Sequence, residues 1–142
     1  MKIQNILVVC VGNICRSPMG EFFFKQECPQ LNISSAGISG MIGHSADEKA
    51  ITCMDRLNID MRSHIAQKLN EQHIKNSDLI LVMSNRQLRH IEQTWPFAKG
   101  KVFRLGHWQN TDIADPYQHD QQFFDNTCQL IQTCVQDWKK HI

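Results

Sequence analysis

The chain predicts an α/β fold built on a parallel sheet. Two segments, residues 3–11 and 78–83, are nearly continuous apolar runs rich in β-branched residues, as in parallel strands covered on both faces. Stretches with apolar residues at helical spacing separate the candidate strands, and that alternation implies right-handed βαβ units. At 142 residues with 42% hydrophobic content, the chain is expected to form one domain, residues 1–142, with a core of its own.

The elements follow in order. Residues 3–11 form the first strand. Ser17 reads as an N-cap and Pro18 as the first helical residue, opening a helix over 17–27 with Met19, Phe22 and Phe23 on one face; Pro29 stops it. Residues 32–36 form a short second strand that ends at Gly37, and a glycine-rich loop covers 37–44. Ser45-Ala46-Asp47-Glu48 reads as a capping box before a helix whose Ala50, Ile51, Met54 and Leu57 share a face. Residues 78–83 form the third strand. Ser84, with Gln87 three residues on, starts a helix carrying Leu88, Ile91 and Trp95, and Pro96 lies beyond it. Residues 101–105 alternate as a fourth strand, 106–117 form a long polar loop, and a final helix runs from about 118 to 140 with Phe124, Ile131, Val135 and Trp138 in register.

A formal net charge of +1 provides no global field for nucleic acid or a membrane surface. The six cysteines, at 10, 15, 28, 53, 128 and 134, read as reduced residues, four of them in helices as small core hydrophobes. The amino end has a lysine and an apolar run, but the run is short and leads into Asn13 and Arg16 without a cleavage site. No stretch is long enough to span a bilayer. A cytoplasmic protein is expected, without direct membrane insertion.

The chemistry concentrates in Cys10-Val11-Gly12-Asn13-Ile14-Cys15-Arg16-Ser17-Pro18. A loop of N–H groups at a helix N-terminus attracts anions. Cys10, at a strand end, becomes nucleophilic as the thiolate, which a helix N-terminus and a nearby cation stabilise. Arg16 offers a planar fork for two phosphate oxygens and a charge for the transition state. Asn13 suits the left-handed conformation that turns N–H groups inward. Ser17 both caps the helix and could donate to the departing thiolate. Cys15 stands either as a packing residue or as a disulfide partner for oxidised Cys10.

In parallel sheets, ligands bind beyond the carboxyl ends of the strands. The Cys10 loop and the 106–117 loop both reach that edge. Asp115, in Asp115-Pro116-Tyr117, is therefore a candidate to protonate a leaving oxygen and then activate water; Asp112 is the local competitor. The seven histidines are dispersed and no metal site is expected. Taken alone, His64 reads as a surface or locally satisfied histidine.

Nearly the whole chain resembles the low-molecular-weight protein tyrosine phosphatases. The resemblance rests on the Cys10–Pro18 segment, Glu21, Ser35-Ala36-Gly37, Ser63-His64-Ile65-Ala66, Asp78-Leu79-Ile80-Leu81 and Asp115-Pro116-Tyr117. Gly106-His107-Trp108 and the single tyrosine after Pro116 look like the bacterial branch encoded beside exopolysaccharide and capsule tyrosine kinases. This likeness implies a four-stranded parallel sheet flanked by helices, with the phosphate loop between the first strand and first helix. It implies Cys10 as nucleophile, Arg16 as clamp and Asp115 as acid and base, with Val11, Gly12, Asn13, Ile14, Cys15, Arg16 and Ser17 forming the loop. Asn13, Ser17, Ser35 and His64 would form a supporting hydrogen-bond network, which overrides the surface reading of His64, and Ile14, Met41 and Tyr117 would rim the pocket. Animal relatives often carry an aromatic residue near Met41 and paired tyrosines after Asp-Pro; this chain has neither, so their substrate preferences do not transfer.

The resemblance implies hydrolysis of protein phosphotyrosine through a phosphocysteine, without a cofactor. The expected substrate is a phosphotyrosine protein, the cytoplasmic tail of a bacterial membrane tyrosine kinase governing exopolysaccharide or capsule production. The enzyme is expected to be a monomer, with weak self-association left open. Two other functions fit the loop less well. A thiol-relay arsenate reductase needs a resolving cysteine pair near the third strand, and no cysteine occurs between Cys53 and Cys128. An inactive phosphotyrosine-binding module would not need Cys10, Arg16 and Asp115 together.

Overall fold

The computed structural model describes residues 2–142. Strand β1 (Asn5–Cys10) leads into helix α1 (Arg16–Glu27), then strand β2 (Asn32–Gly37). Helices α2 (Glu48–Asp55) and α3 (Glu71–Asn76) precede strand β3 (Leu79–Val82). Helix α4 (Asn85–Thr94), a short 3-10 turn (Pro96–Ala98), strand β4 (Val102–Arg104) and helix α5 (Gln121–Lys139) complete the chain. The strands lie in the order β2-β1-β3-β4 and every pair is parallel.

The pleat explains the unbroken apolar runs. Successive side chains of β1 enter opposite faces of the sheet. Ile6, Val8 and Cys10 join Met19, Phe23, Phe24, Phe124, Ile131 and Val135 on one side. Leu7 and Val9 join Ile74, Ile80, Val82 and Ile91 on the other. Both faces are dry over residues 6–10 of β1 and 79–82 of β3, which carry apolar side chains throughout. From β1 the chain passes to β2 on one side and later to β3 on the other. That reversal opens a crevice at the carboxyl end of β1, where Cys10 sits. Among the described residues, no helix is long and apolar enough to cross a membrane.

Several local expectations are corrected. The N-cap of α1 is Cys15, which makes no side-chain capping bond, so Ser17 lies inside the first turn and Pro18 one residue later. The Ser17 hydroxyl is drawn instead to Asn13 and Cys10. Asp47, not Ser45, caps α2 by accepting from the Lys49 N–H at 2.9 Å; Ser45 pairs with Ile65 in an isolated bridge. The helix ends at Asp55, which leaves Leu57 beyond it and exposed. Helix α3 was not expected; Asn70 and His73 close a reciprocal capping box there. Ser84 caps α4 as expected, but the Gln87 side chain accepts from the Met83 N–H at 2.7 Å rather than from Ser84. Gln118 has φ +67°, and Asp120 caps α5, whose first residue, Gln121, falls about three residues after the expected start.

Candidate active site

Cys10 ends β1 almost fully buried, and the next residues curl over its sulfur before α1 begins. Asn13 makes the turn with φ +61°, a conformation its short polar side chain tolerates. Its N–H then points back to Cys10 Sγ at 3.3 Å. The second strand supports the turn from behind. Gly37 lies opposite Cys10, and a Cβ there would sit 2.6 Å from the Val11 carbonyl oxygen and 2.8 Å from the Asn13 nitrogen. Only hydrogen fits between these backbones. Beyond Gly37, the N–H groups of Ser39 and Gly40 bind the Val11 carbonyl, and that of Met41 binds the Gly12 carbonyl.

A directed hydrogen-bond network holds Asn13. Its amide donates to Ser17 Oγ at 2.8 Å and Ser35 Oγ at 2.9 Å, while its Oδ1 accepts from the Gln67 N–H at 2.9 Å. With both amide hydrogens spent on hydroxyl oxygens, the two hydroxyl hydrogens must point outward. Ser35 gives its hydrogen to Glu21 Oε1 at 2.5 Å, and Ser17 faces Cys10 Sγ at 3.0 Å. The network thus has its donor centre at Asn13 and ends on a carboxylate at one side and the sulfur at the other. Ser17 is set to donate to a thiolate. His64 Nε2 lies 2.7 Å from the Asn13 carbonyl, which can only accept, so that nitrogen carries the proton. His64 is buried, with Nδ1 4.0 Å from Glu21 Oε1.

Arg16 is the first residue of α1 and is only 5% exposed. Nη1 donates to the Ile113 carbonyl at 2.7 Å, and Nη2 faces Asp115 Oδ2 at 3.6 Å. Nε is buried with no protein partner. An unsatisfied buried guanidinium N–H is costly, and its chemistry matches an anionic oxygen entering beside Cys10. Asp115 is half-exposed, and its Oδ1 accepts from the Tyr117 N–H at 3.1 Å. Asp112 points elsewhere: it binds the Asn85 N–H and Arg104 Nη1, tying the 106–117 loop to α4 and β4.

Cys10, Arg16 and Asp115 line one cavity of about 140 Å³ together with Ile14, Met41 and Tyr117. Val11, Gly12, Cys15 and Ser39 complete its wall. Cys15 is buried; desolvation first, and then the nearby Asp47, Cys10 and Asp115, push its thiol far up. It therefore stays protonated beside the cavity.

The expected residues converge, but sequence reading gave no role to Gln67, the Ile113 carbonyl or Ser39. Gln67 acts mainly through its backbone, and Ile113 wholly so, which residue identity cannot signal. Glu21 belongs to the sequence resemblance, and the structure adds its role as the acceptor that ends the Asn13 network.

A family model described as "Low molecular weight phosphotyrosine protein phosphatase" matches residues 5–142. The chain is 70% identical over 142 residues, all of both proteins, to the low molecular weight protein-tyrosine-phosphatase Ptp of Acinetobacter johnsonii. It is 36% identical over 136 residues, 95% of this chain and 92% of that protein, to Wzb of Escherichia coli strain K12. The solved structure of Vibrio vulnificus Wzb in complex with benzylphosphonate superposes with a TM-score of 0.96 at 37% identity, covering 99% of this chain and 100% of that one.

Proposed function

The chain belongs to the low molecular weight phosphotyrosine protein phosphatase family, and from that premise we propose that it cleaves protein phosphotyrosine through a phosphocysteine on Cys10. The observation that carries the mechanism is one cavity holding a sulfur, an unpartnered guanidinium N–H and a carboxylate.

In the first step Cys10 thiolate attacks phosphorus. The S–P bond forms as the bond to the tyrosyl oxygen breaks, and Asp115 gives that oxygen its proton. Arg16 Nε and the loop N–H groups hold the equatorial oxygens as charge spreads over them. In the second step Asp115, now a carboxylate, takes a proton from water that attacks the phosphocysteine. The S–P bond breaks, phosphate leaves, and the Ser17 hydroxyl donates to the returning thiolate. Asn13, Ser35, Glu21 and His64 are positioning residues that fix the donor end of Ser17.

The cavity mouth supports an aromatic substrate. Ile14, Met41 and Tyr117 offer apolar walls to a phenyl ring, and the relative from Vibrio vulnificus binds benzylphosphonate, a phosphonate on a benzyl stem. A phosphoserine phosphate sits too near its backbone to reach Cys10 past that rim. We further propose that the substrate is the tyrosine-rich cytoplasmic tail of a membrane kinase controlling exopolysaccharide or capsule production, met by a monomeric cytoplasmic enzyme. A flexible tail presents phosphotyrosines one by one without a large docking surface.

Rapid quenching of Asp115→Asn during turnover of an aryl phosphate with an acidic leaving group tests the mechanism. Loss of the base slows hydrolysis, so phosphate should accumulate on the Cys10 peptide in mass spectra. Phosphate on another residue, or burst release without a phosphoenzyme, would overturn it. Incubation with a phosphorylated kinase tail tests the partner separately.

A further inference from the structure

Cys53 on α2 and Cys128 on α5 are each 4% exposed and lie outside the cavity of Cys10. Each reaches across to the other's helix. Cys53 Sγ donates to Asp125 Oδ1 at 3.1 Å, less than one turn before Cys128. Cys128 Sγ lies 3.8 Å from Met54 Sδ, the residue after Cys53. These reciprocal contacts bring the two thiols to the same junction between α2 and α5. Both line a second cavity, of about 320 Å³, whose wall includes the exposed Arg56 and Leu57, so it opens to solvent.

We propose that hydrogen peroxide joins Cys53 and Cys128 in a reversible disulfide, a second oxidation site separate from Cys10. Cys128 supplies the attacking sulfur, because the one S–H of Cys53 is committed to Asp125 Oδ1. Cys128 sulfur attacks peroxide: an S–O bond forms, the O–O bond breaks, and one water leaves. Cys53 sulfur then attacks the sulfenic acid. The S–S bond forms, the S–O bond breaks, and a second water carries off the hydroxyl and the Cys53 proton. Asp125 Oδ1, already bonded to that thiol, is placed to take the proton in transit. Two thiols and one peroxide give one disulfide and two waters.

The bond would fasten a junction that already spans the cleft of Cys10. The N–H of Asp47, the cap of α2, binds the Ile14 carbonyl in the phosphate loop. Lys49 Nζ binds the His119 carbonyl, just after Tyr117, and Gln121 of α5 returns a bond to the Lys49 carbonyl. A covalent link between α2 and α5 reinforces this strap between the two walls of the site.

The test is peroxide treatment of the intact protein, alkylation, and tryptic digestion without reduction. Cys53 falls in peptide 50–56, and Cys128 with Cys134 in peptide 105–139. The two peptides should appear linked, at their summed mass less two hydrogens, from protein that runs as a single chain on a non-reducing gel. Dithiothreitol should separate them, Cys128→Ala should abolish the link, and Cys134→Ala should retain it. If Cys128→Ala does not fold, fragmentation of the wild-type linked peptide still assigns the sulfur. Recovery of 50–56 as a free alkylated thiol at peroxide doses that fully oxidise Cys10 would overturn the proposal. So would a link through Cys134.

Discussion

Arg16 Nη2 and Asp115 Oδ2 face each other at 3.6 Å, one from the first residue of α1 and the other from the loop after β4. The second loop sets both. Its Ile113 carbonyl holds Arg16 Nη1, and the Tyr117 N–H occupies Asp115 Oδ1. The free carboxylate oxygen is thereby aimed at the guanidinium, where a bound phosphate ester would present its leaving oxygen. The proposed clamp and acid are positioned by one stretch of backbone, which brings residues so distant in sequence to one cavity.

Asp115→Asn should lower kcat by about 10²–10⁴-fold, the range for removing a positioned general acid. The loss should shrink for leaving groups that depart without protonation. Asp112→Asn should cost far less, because Asp112 is committed to Asn85 and Arg104. Steady-state kinetics over a series of aryl phosphates checks both. A uniform loss across the series would remove Asp115 from the acid role.

Gly37→Ala should damage the phosphate loop from behind. The new methyl meets backbone at 2.6 Å and 2.8 Å, and neither Val11 nor Asn13 can yield without shifting the loop. Overpacking of this kind costs about 1–3 kcal/mol. Urea denaturation should show the stability loss, and vanadate binding should weaken with it. Unchanged vanadate affinity would mean that the loop tolerates the displacement.

Cys15 bears on recovery from oxidation. Its thiol is held protonated by burial and nearby negative charge, so it is a poor attacker of peroxide itself but is available to condense with a sulfenic acid on Cys10. Cys15→Ser should keep basal activity within a few-fold yet regain less after peroxide and then reductant. Recovery should be measured in a Cys53→Ala background, so that the two sites are read apart. Equal recovery would leave Cys15 a packing residue.

Asp78 makes a pH-dependent contribution to the fold. Its Oδ2 accepts from the N–H groups of Gln4 and Asn5 at 3.0 and 2.9 Å and from Asn5 Nδ2 at 3.1 Å, which lowers its pKa. A carboxyl depressed in the folded state stabilises fully above its unfolded value of about 3.9 and loses that contribution as pH falls through the folded value. Asp78→Asn should therefore be less stable than the parent at neutral pH, with the gap closing in acid. Denaturation midpoints across that range check it; a gap that widens in acid would have the wrong sign.

What was legible in the sequence was whatever a side chain announces. Apolar runs placed the sheet, and the spacing of Cys10, Arg16 and Ser17 placed the loop. Asp115 could be brought to Cys10 because strand-end loops of a parallel sheet share an edge. The cap of α1 was misplaced because Ser17 has two competing partners, and geometry favours Asn13 and Cys10 over the helix N-terminus. Helix α3 escaped because six polar-rich residues carry too little periodicity and a histidine closes its capping box. The meeting of Cys53 and Cys128 at one junction depends on how α2 packs on α5, which no spacing encodes.

Tyr117 separates ring recognition from phosphate recognition. It lines the cavity but makes no side-chain hydrogen bond there, and its ring is partly exposed at the mouth. Its backbone N–H, which holds Asp115, survives any substitution except proline. Tyr117→Ala should therefore leave the acid in place and remove only an aromatic wall. KM for phosphotyrosine peptides should rise by roughly 2–13-fold, corresponding to the 0.5–1.5 kcal/mol of an aromatic pair. Inhibition by inorganic phosphate or vanadate should hardly change, since these depend on Arg16 and the loop N–H groups. Tyr117→Phe should behave like the parent, because the ring rather than the hydroxyl does the packing. If phosphate and phosphotyrosine binding weakened equally in Tyr117→Ala, the tyrosine would be a support for the Asp115 loop and not a wall for the substrate ring.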